Sequence, residues 1–226
     1  MSEEVSKKQK LSPELLLNNF SPKNSISKLS RSKITTSNLS DAMRHVTGEN
    51  GTLTGVKPVK DNIKVIGRAT TVKTMADDWG TVIKGIYSAQ PGDVLVISCD
   101  NDDPAVWGEM ASGTAQKHGI IGTVIYGSAR DITGIRELDY PVFSRDIIPN
   151  AGDAKAEGEI NVPIKCGNTV VNPGDLIMGD DCGVVAVPSH ILDEVIEEAF
   201  NIIKGEDEIV RKIACGSSFL DILAIK

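Results

Sequence analysis

Hydrophobic residues follow two different periods along the chain, and these periods predict strands separated by helices. Four stretches that are rich in β-branched or aromatic residues predict strands: NIKVIGRATTVKT, PGDVLVISC, IIGTVIYG and YPVFSRD. Amphipathic spacing predicts helices over TSNLSDAMRHV, DDWGTVIKGIYSAQ, AVWGEMASGTAQKHG and DITGIREL. We expect Asp103 to cap the third of these helices, with Pro104 as its first residue.

The second half of the chain has a different pattern. Residues 158–188 read as short strands separated by Gly-Asn, Pro-Gly and Gly-Asp turns. SHILDEVIEEAFNIIKG then predicts a helix that ends at Gly205, and EDEIVRKIACG predicts a last helix. Alternating strands and helices followed by a strand-rich part predict one α/β domain with a mixed sheet over residues 31–226.

Residues 1–30 are rich in Lys, Ser and Asn and predict an N-terminal extension that is partly flexible. Within it, SPELLLNNF predicts a short helix with Ser12 as its cap and Pro13 as its first residue. The basic stretches SKKQK and SKLSRSK fit either a basic arm for a partner or a solvated tail, and we favour the tail.

Composition narrows the possible functions. The 226 residues are 40% hydrophobic but only 4% aromatic, so the core must consist mostly of Val, Ile, Leu and Ala. A net charge of −7 disfavours general nucleic-acid binding, which depends on neutralising phosphates. The four cysteines form no CxxC pair, and neither a membrane span nor a signal peptide is visible, so we expect a reduced, cytoplasmic protein.

Several common catalytic motifs are absent from the sequence. There is no GxGxxG, no GxxxxGK[ST], no HExxH and no GxSxG, and three histidines give little basis for zinc chemistry. The acidic stretch CDNDDP does not fit a calcium loop, because position six counted from Asp100 is Ala105 and position twelve is Ala111. The chemistry must therefore come from carboxylates elsewhere.

Two charged turns follow neighbouring predicted strands. Gly108 and Glu109 open a predicted helix, while Arg130 and Asp131 follow the strand IIGTVIYG. Ligands of open α/β sheets bind at the carboxyl ends of the strands, and helix N-termini attract anions. The two turns are therefore predicted to face one crevice. The alternative is a structural ion pair of Arg130 with Glu109 or Asp131 that stabilises the strand ends.

The segment GEMASGTAQKHGIIGTVIYGSARD resembles the RraA-like family. This family includes 4-hydroxy-4-methyl-2-oxoglutarate aldolases, which are class II pyruvate aldolases, and regulators of ribonuclease E activity. Its aldolases carry an acidic residue, twenty intervening residues and then Arg-Asp, which corresponds here to Glu109, Arg130 and Asp131. The resemblance continues through YPVF, NPGDLIMGDDCGVVAVP and GSSFLDI, and covers roughly residues 33–226.

The resemblance implies a fold and an assembly. The fold is an α/β, swivelling β/β/α-type domain with a mixed, barrel-like central sheet flanked by helices. The assembly is a homotrimer or a hexamer with active sites between subunits. Glu208 is the candidate to reach the site of a neighbouring subunit, and the favoured alternative is that it is a solvated helix residue.

The implied activity is that of a metal-dependent carbon–carbon lyase. It would cleave a 4-hydroxy-2-oxo acid to pyruvate and decarboxylate oxaloacetate as a side activity. Asp131 would ligate Mg²⁺ or Mn²⁺, and Glu109 would hold a water on the metal. Backbone N–H groups near Gly108, Glu109, Met110 and Ala111 would bind the substrate carboxylate, and Arg130 would stabilise the enolate.

Two features bear on the choice between enzyme and regulator. The aldolases commonly have Asp where this chain has Glu109, which is one methylene longer. In the ribonuclease regulators the aspartate after the arginine is replaced, whereas Asp131 is present here. Because Asp131 is retained, the sequence favours the enzyme over the regulator. The alternative is a non-catalytic RraA-like regulatory or binding protein that acts on an RNA-processing or other protein partner.

Overall fold

The computed structural model describes residues 22–225, and the predicted helix SPELLLNNF lies outside them. The described helices are α1 (Pro22–Ser30), α2 (Thr36–Thr47), α3 (Trp79–Ser88), α4 (Glu109–Lys117), α5 (Ile132–Glu137), α6 (Leu192–Ala214) and α7 (Phe219–Ile222). The described strands are β1 (Lys57–Pro58), β2 (Val65–Thr74), β3 (Asp93–Cys99), β4 (Gly122–Ala129), β5 (Val142–Ile147), β6 (Glu159–Ile160), β7 (Ile164–Cys166), β8 (Thr169–Val171), β9 (Leu176–Asp180) and β10 (Gly183–Val187).

One mixed sheet organises the fold. Its main strands lie in the order β1-β5-β4-β3-β2-β9-β10, and β6 also pairs with β2. The four strands β2 to β5 are parallel, whereas β1, β6, β9 and β10 pair antiparallel with their neighbours. The parallel strands come from the βα part of the sequence, because a helix must carry the chain back between them.

The two edges of the sheet approach each other. Lys57 on β1 donates from Nζ to the carbonyl oxygen of Cys182, which precedes β10, over 2.9 Å. Gly183 faces the carbonyl of Val56 so closely that a Cβ would lie 3.2 Å from it. The barrel-like, mixed sheet flanked by helices that the resemblance implies is therefore confirmed.

Aliphatic residues fill the core, as the low aromatic content predicts. One cluster lies under α3 and α4, a second includes Val96, Val124 and the fully buried Phe143, and a third lies beneath α2 and α6. Leu29 of α1 belongs to the third cluster and is fully buried. The described part of the predicted N-terminal extension thus packs on the core.

Two predicted helix boundaries were wrong. The helix expected from Pro104 begins instead at Glu109, because Ala105 and Trp107 form bridges with Ala151 and Ala129 and hold the chain extended. The stop predicted at Gly205 does not occur, and α6 runs without a break from Leu192 to Ala214. A glycine inside a helix costs only about 1 kcal/mol, which is too little to end a helix that is anchored by buried side chains.

Candidate functional site

The candidate site lies where the parallel strands β2 to β5 end. The chain leaves each strand through a loop, and these loops together with α3 and α4 enclose a cleft of about 400 Å³. Among the residues that line it are Gly108, Arg130 and Asp131, as well as Trp79 on α3 and Gly152 in the loop after β5. This is the edge at which α/β sheets bind ligands, as the sequence predicts.

The turn after β4 aims two charged side chains at this cleft. The N–H of Arg130 donates to the carbonyl of Trp107 over 2.9 Å, which ties the turn to the segment before α4. Asp131 has φ 57° and ψ 39°, a left-handed conformation that Asp tolerates better than most residues. Arg130 Nε lies 3.4 Å from Asp131 Oδ2, and both side chains are partly exposed. This arrangement fits both interpretations of the turn. Arg130 and Asp131 form an ion pair, and both side chains also face the cleft where a ligand could bind.

Gly108 is fitted to the carboxylate of Asp131. A Cβ on Gly108 would lie 2.6 Å from Asp131 Oδ2, so no larger residue fits unless the carboxylate moves. Gly108 precedes the first turn of α4 and has no side chain to cap it. The N–H groups of Glu109, Met110 and Ala111 therefore have no partner within the helix and remain available to an anion.

A short hydrogen-bonded chain fixes the start of α4. Trp107 donates from Nε1 to the hydroxyl of Ser112 over 2.7 Å, and that hydroxyl donates to the carbonyl of Gly108 over 3.0 Å. Trp107 and Ser112 are both buried. The N-terminus of α4 is thus held rigidly before any ligand arrives.

The structure brings most of the predicted site residues together. The residues lining the cleft include Gly108, Met110, Ala111, Arg130 and Asp131. The side chain of Glu109 instead turns towards α5 and packs against Gly134, where it occupies the space that a Cβ would take.

Glu208 was the predicted cross-subunit residue. It lies on the exposed C-terminal part of α6 and does not line the cleft of its own chain.

Sequence reasoning missed one wall of the cleft. Trp79 donates from Nε1 to the carbonyl of Gly152 over 2.9 Å, which joins the start of α3 to the loop after β5. Tryptophan is rare in this chain, and Trp79 directly follows two aspartates near the end of a predicted strand. That position could have indicated that Trp79 lies at the ligand-binding edge of the sheet. Its partner loop is distant in sequence, so the contact with Gly152 could not be predicted.

Asp78 also binds the loop between β5 and β6. Its carboxylate accepts from the Thr81 hydroxyl over 2.6 Å and from the N–H groups of Ala156 and Glu157 over 2.7 and 3.0 Å. Burial by itself raises the pKa of Asp78, but these hydrogen bonds outweigh burial and lower the pKa well below its usual range. Asp78 is therefore an ionised structural clamp between α3 and the residues before β6.

A second cavity of about 640 Å³ opens beside the cleft, yet its charges are largely paired with one another. Lys73 lies 3.1 Å from Glu159, and Lys155 pairs with Asp77. Burial raises the pKa of Cys99, which lines this cavity, to about 12, so its thiol is a poor nucleophile. The larger cavity thus offers less to a reaction than the cleft at Asp131.

Among residues 22–225, no cluster of three or more His, Cys, Asp or Glu side chains could hold a metal ion. Mg²⁺ does not need such a cluster, since it keeps several waters and often uses one or two carboxylates. Asp131 supplies one carboxylate to the cleft with no helix-capping hydrogen bond from its side chain. The donor set therefore fits a sparsely ligated, hard divalent ion.

The chain is similar to known proteins over most of its length. The model of the RraA-like family, described as Aldolase/RraA, matches residues 36–186. An uncharacterised protein of Methanocaldococcus jannaschii is 41% identical over 77% of this chain and 85% of its own length. A protein of Halalkalibacterium halodurans named "Putative 4-hydroxy-4-methyl-2-oxoglutarate aldolase" is 36% identical over 84% of this chain and 89% of its own.

Solved structures share the fold as well. The crystal structure of Streptomyces coelicolor RraAS2, described as an unusual member of the RNase ES inhibitor RraA protein family, superposes with a TM-score of 0.70. It is 25% identical and covers 83% of this chain and 96% of the RraAS2 chain. Within the described part of the present chain, no helix is long and apolar enough to cross a membrane. Relatives thus include a protein whose name is that of a putative aldolase and a protein described as an unusual member of an inhibitor family.

Proposed function

The chain belongs to the RraA-like family, and from this premise we propose that it is a divalent-metal-dependent class II pyruvate aldolase. Its reaction is the retro-aldol cleavage of a 4-hydroxy-2-oxo acid, as in 4-hydroxy-4-methyl-2-oxoglutarate aldolases, with oxaloacetate decarboxylation as a side activity. The observation that carries the proposal is the position of Asp131, which lines the cleft beside Arg130 and against Gly108.

The start of α4 binds the 2-oxo acid. The N–H groups of Glu109, Met110 and Ala111 are free of helical partners, and the helix dipole adds partial positive charge at this end. They hold the carboxylate at C1 of the substrate. This contact orients the keto group towards Arg130 and Asp131, which line the same cleft.

Arg130 acts on the charge that develops during bond cleavage. A water in the cleft takes the proton of the substrate hydroxyl, C4 becomes a carbonyl carbon, and the C3–C4 electron pair passes to C3 to give the enolate of pyruvate. A proton then adds at C3 and completes pyruvate. The Arg130 guanidinium faces the enolate oxygen and stabilises its negative charge, and removal of one such donor raises a barrier by about 3–4 kcal/mol.

Asp131 would hold the divalent ion, and Glu109 is the second candidate ligand that the sequence predicts. Mg²⁺ or Mn²⁺, when bound, supplies Lewis-acid stabilisation of the enolate, which an enzyme without a Schiff-base lysine requires. Glu109 needs a rotation away from Gly134 to face the cleft. We also propose a cytoplasmic homotrimer or hexamer as the working form, with Glu208 reaching a neighbouring subunit.

The test is pyruvate release from 4-hydroxy-4-methyl-2-oxoglutarate and from oxaloacetate, with Mg²⁺ and then with EDTA. We expect activity with Mg²⁺, its loss with EDTA, and its loss in Asp131→Asn. Asp139→Asn is the matched control, because Asp139 is an exposed acid that follows α5 and does not line the cleft.

The same assay decides between enzyme and regulator. If the folded wild type and Asp131→Asn are equally inactive on both substrates, the aldolase proposal fails. The non-catalytic RraA-like role, on an RNA-processing or other protein partner, is then the better account of the fold.

A further inference from the structure

The side chain of Glu109 lies against Gly134 instead of facing the cleft. We infer that Gly134 is a positioning residue: it accommodates Glu109 away from Asp131 until a divalent cation binds, and Glu109 then turns into the cleft. The inference rests on the proposed metal-dependent function and concerns the control of metal binding at the same site. It makes the metal affinity depend on a glycine that does not line the cleft.

The contact between Glu109 and Gly134 requires the absence of a side chain. A Cβ on Gly134 would lie 2.7 Å from Cγ of Glu109, and nearer still to its carboxylate carbon and Oε2. Gly134 lies within α5 and does not have a positive φ, so its backbone could belong to any residue. The missing Cβ therefore leaves room for the side chain of Glu109.

Within residues 22–225, no side-chain hydrogen bond or ion pair fixes Glu109 in this position, and its side chain is exposed. The backbone at the start of α4 is fixed, in contrast, by the hydrogen bonds from Trp107 to Ser112 and from Ser112 to Gly108. A turn of Glu109 towards the cleft therefore needs only the rotation of an exposed side chain, which takes picoseconds to nanoseconds.

Charge decides which of the two positions Glu109 adopts. The carboxylate of Asp131 lines the cleft, and Arg130 already lies 3.4 Å from it. A second carboxylate beside Asp131 is repelled, because the two charges have the same sign. A divalent cation at Asp131 reverses this preference, since it attracts both carboxylates. Glu109 thus rests on Gly134 without the cation and faces the cleft with it.

Gly134→Ala removes the resting position. The new Cβ meets the far end of a flexible side chain, so α5 can keep its place while Glu109 moves. If Glu109 rests on Gly134 for about 70–90% of the time, the apparent Kd for Mg²⁺ should fall about three- to tenfold in the variant, because more of the protein is ready to bind. Calorimetric titration of the full, metal-free chain with MgCl₂ measures this change.

Gly113→Ala is the matched control for this titration. It makes the same substitution in α4, where a Cβ meets nothing within 4 Å, and should leave the Kd for Mg²⁺ unchanged. No change in Gly134→Ala, or weaker binding, overturns the inference.

A Glu109→Gln background separates the charge of this side chain from its packing. The amide has nearly the same shape but is a poorer ligand than a carboxylate for Mg²⁺, which proteins bind mainly through carboxylates and waters. In that background Gly134→Ala should change the Kd by less than about twofold. Equal tightening in both backgrounds would assign the effect to α5 itself and overturns the inference.

Crystal structures of the wild type without and with Mg²⁺ give a readout that does not depend on the folding of a variant. We expect the Glu109 carboxylate against Gly134 without the ion and in the cleft with it. A carboxylate that stays on Gly134 while Mg²⁺ is bound at Asp131 overturns the inference.

Pyruvate release separates this inference from the proposed function. If pyruvate release depends on Mg²⁺ and Asp131 while the titrations contradict the role of Gly134, the inference fails and the aldolase proposal survives. If Gly134→Ala tightens Mg²⁺ binding as expected and no substrate is cleaved, the aldolase proposal fails and the role of Gly134 remains. A wild-type protein that binds neither Mg²⁺ nor Mn²⁺ defeats both.

Discussion

At the scale of single residues, the position of the Asp131 carboxylate depends on the absence of a side chain at Gly108. Gly108 has an extended backbone with φ −159°, so its importance does not lie in conformational freedom. It lies in the missing side chain, since the carboxylate of Asp131 occupies the space next to Cα. Asp131 in turn holds a left-handed backbone conformation of the kind that clusters at functional sites.

Gly108→Ala is expected to impair catalysis far more than folding. The new Cβ would displace the carboxylate of Asp131, and misplacement of a catalytic group by about 1 Å can cost about 100-fold in rate. We expect a comparable fall in kcat/KM for oxaloacetate decarboxylation, with weaker Mg²⁺ binding by calorimetry and a thermal midpoint close to that of the wild type.

Gly113→Ala is the control for this change. Gly113 lies in the same helix, and a Cβ there meets nothing within 4 Å. It should keep full activity and gain up to about 1 kcal/mol in stability, because Ala is the better helix former. Equal activity losses in the two variants would contradict the role assigned to Gly108.

The sequence predicted the charged end of the site better than its apolar wall. Gly108, Arg130 and Asp131 are close in sequence to the ends of two adjacent parallel strands, so the βα pattern alone brings them together. Trp79 and Gly152 meet only because β2 and β5 end at the same edge. The orientation of Glu109 depends on the missing side chain of Gly134, which no local pattern reveals.

At the scale of elements, two glycines in helices have opposite roles. Gly205 lies inside α6, has φ in the ordinary range, and a Cβ added there would meet nothing within 4 Å. Gly85 lies inside α3, and a Cβ there would lie 2.5 Å from Cγ2 of Val72 on β2. Helix propensity alone rates both glycines as unfavourable, and only their packing shows which of them can be replaced.

Gly205→Ala is therefore expected to stabilise the protein and Gly85→Ala to destabilise it. The first removes the backbone-entropy cost of glycine and should add about 0.5–1 kcal/mol to the free energy of unfolding. The second forces α3 away from β2 and should cost about 1–3 kcal/mol through overpacking. Urea denaturation measures both, and a stabilised Gly85→Ala would show that the α3–β2 contact is loose.

Asp78 gives the junction of α3 and the loop before β6 a pH dependence. Its folded-state pKa is lowered, so its contribution is fully present above the unfolded-state pKa of about 3.9 and declines as the pH falls below that value. Asp78→Asn should lower the free energy of unfolding at pH 7 by about 1–3 kcal/mol. The gap between wild type and variant should narrow from pH 5 to pH 3, and a gap that is constant with pH would contradict an ionised clamp.

At the scale of the whole molecule, the barrel buries most of its apolar side chains, whereas the helical C-terminal tail, residues 210–225, exposes several. The edges of the barrel meet at Lys57 and Cys182, and its interior is filled by aliphatic side chains around Phe143. From the last turns of α6 onwards, in contrast, six large apolar side chains are exposed: Val210, Ile213, Phe219, Leu220, Leu223 and Ile225. Exposed apolar surface of this extent is typical of an interface.

The predicted trimer or hexamer offers a direct use for this tail. If Glu208 of one subunit serves the cleft of another, Glu208→Gln and Asp131→Asn each inactivate the enzyme at a different position of a shared site. When the two variants are mixed and refolded together, some assemblies would contain sites in which one subunit supplies Asp131 and another supplies Glu208.

We expect part of the activity to return in that mixture, whereas neither variant alone is active. Sedimentation equilibrium should give three or six times the 24.1 kDa chain mass, and Phe219→Ser with Leu220→Ser should lower it. Val170→Ser, at an exposed apolar position on β8, is the control and should leave the mass unchanged. Full activity of Glu208→Gln, or no recovery on mixing, would confine the catalytic residues to one chain and leave the tail with assembly alone.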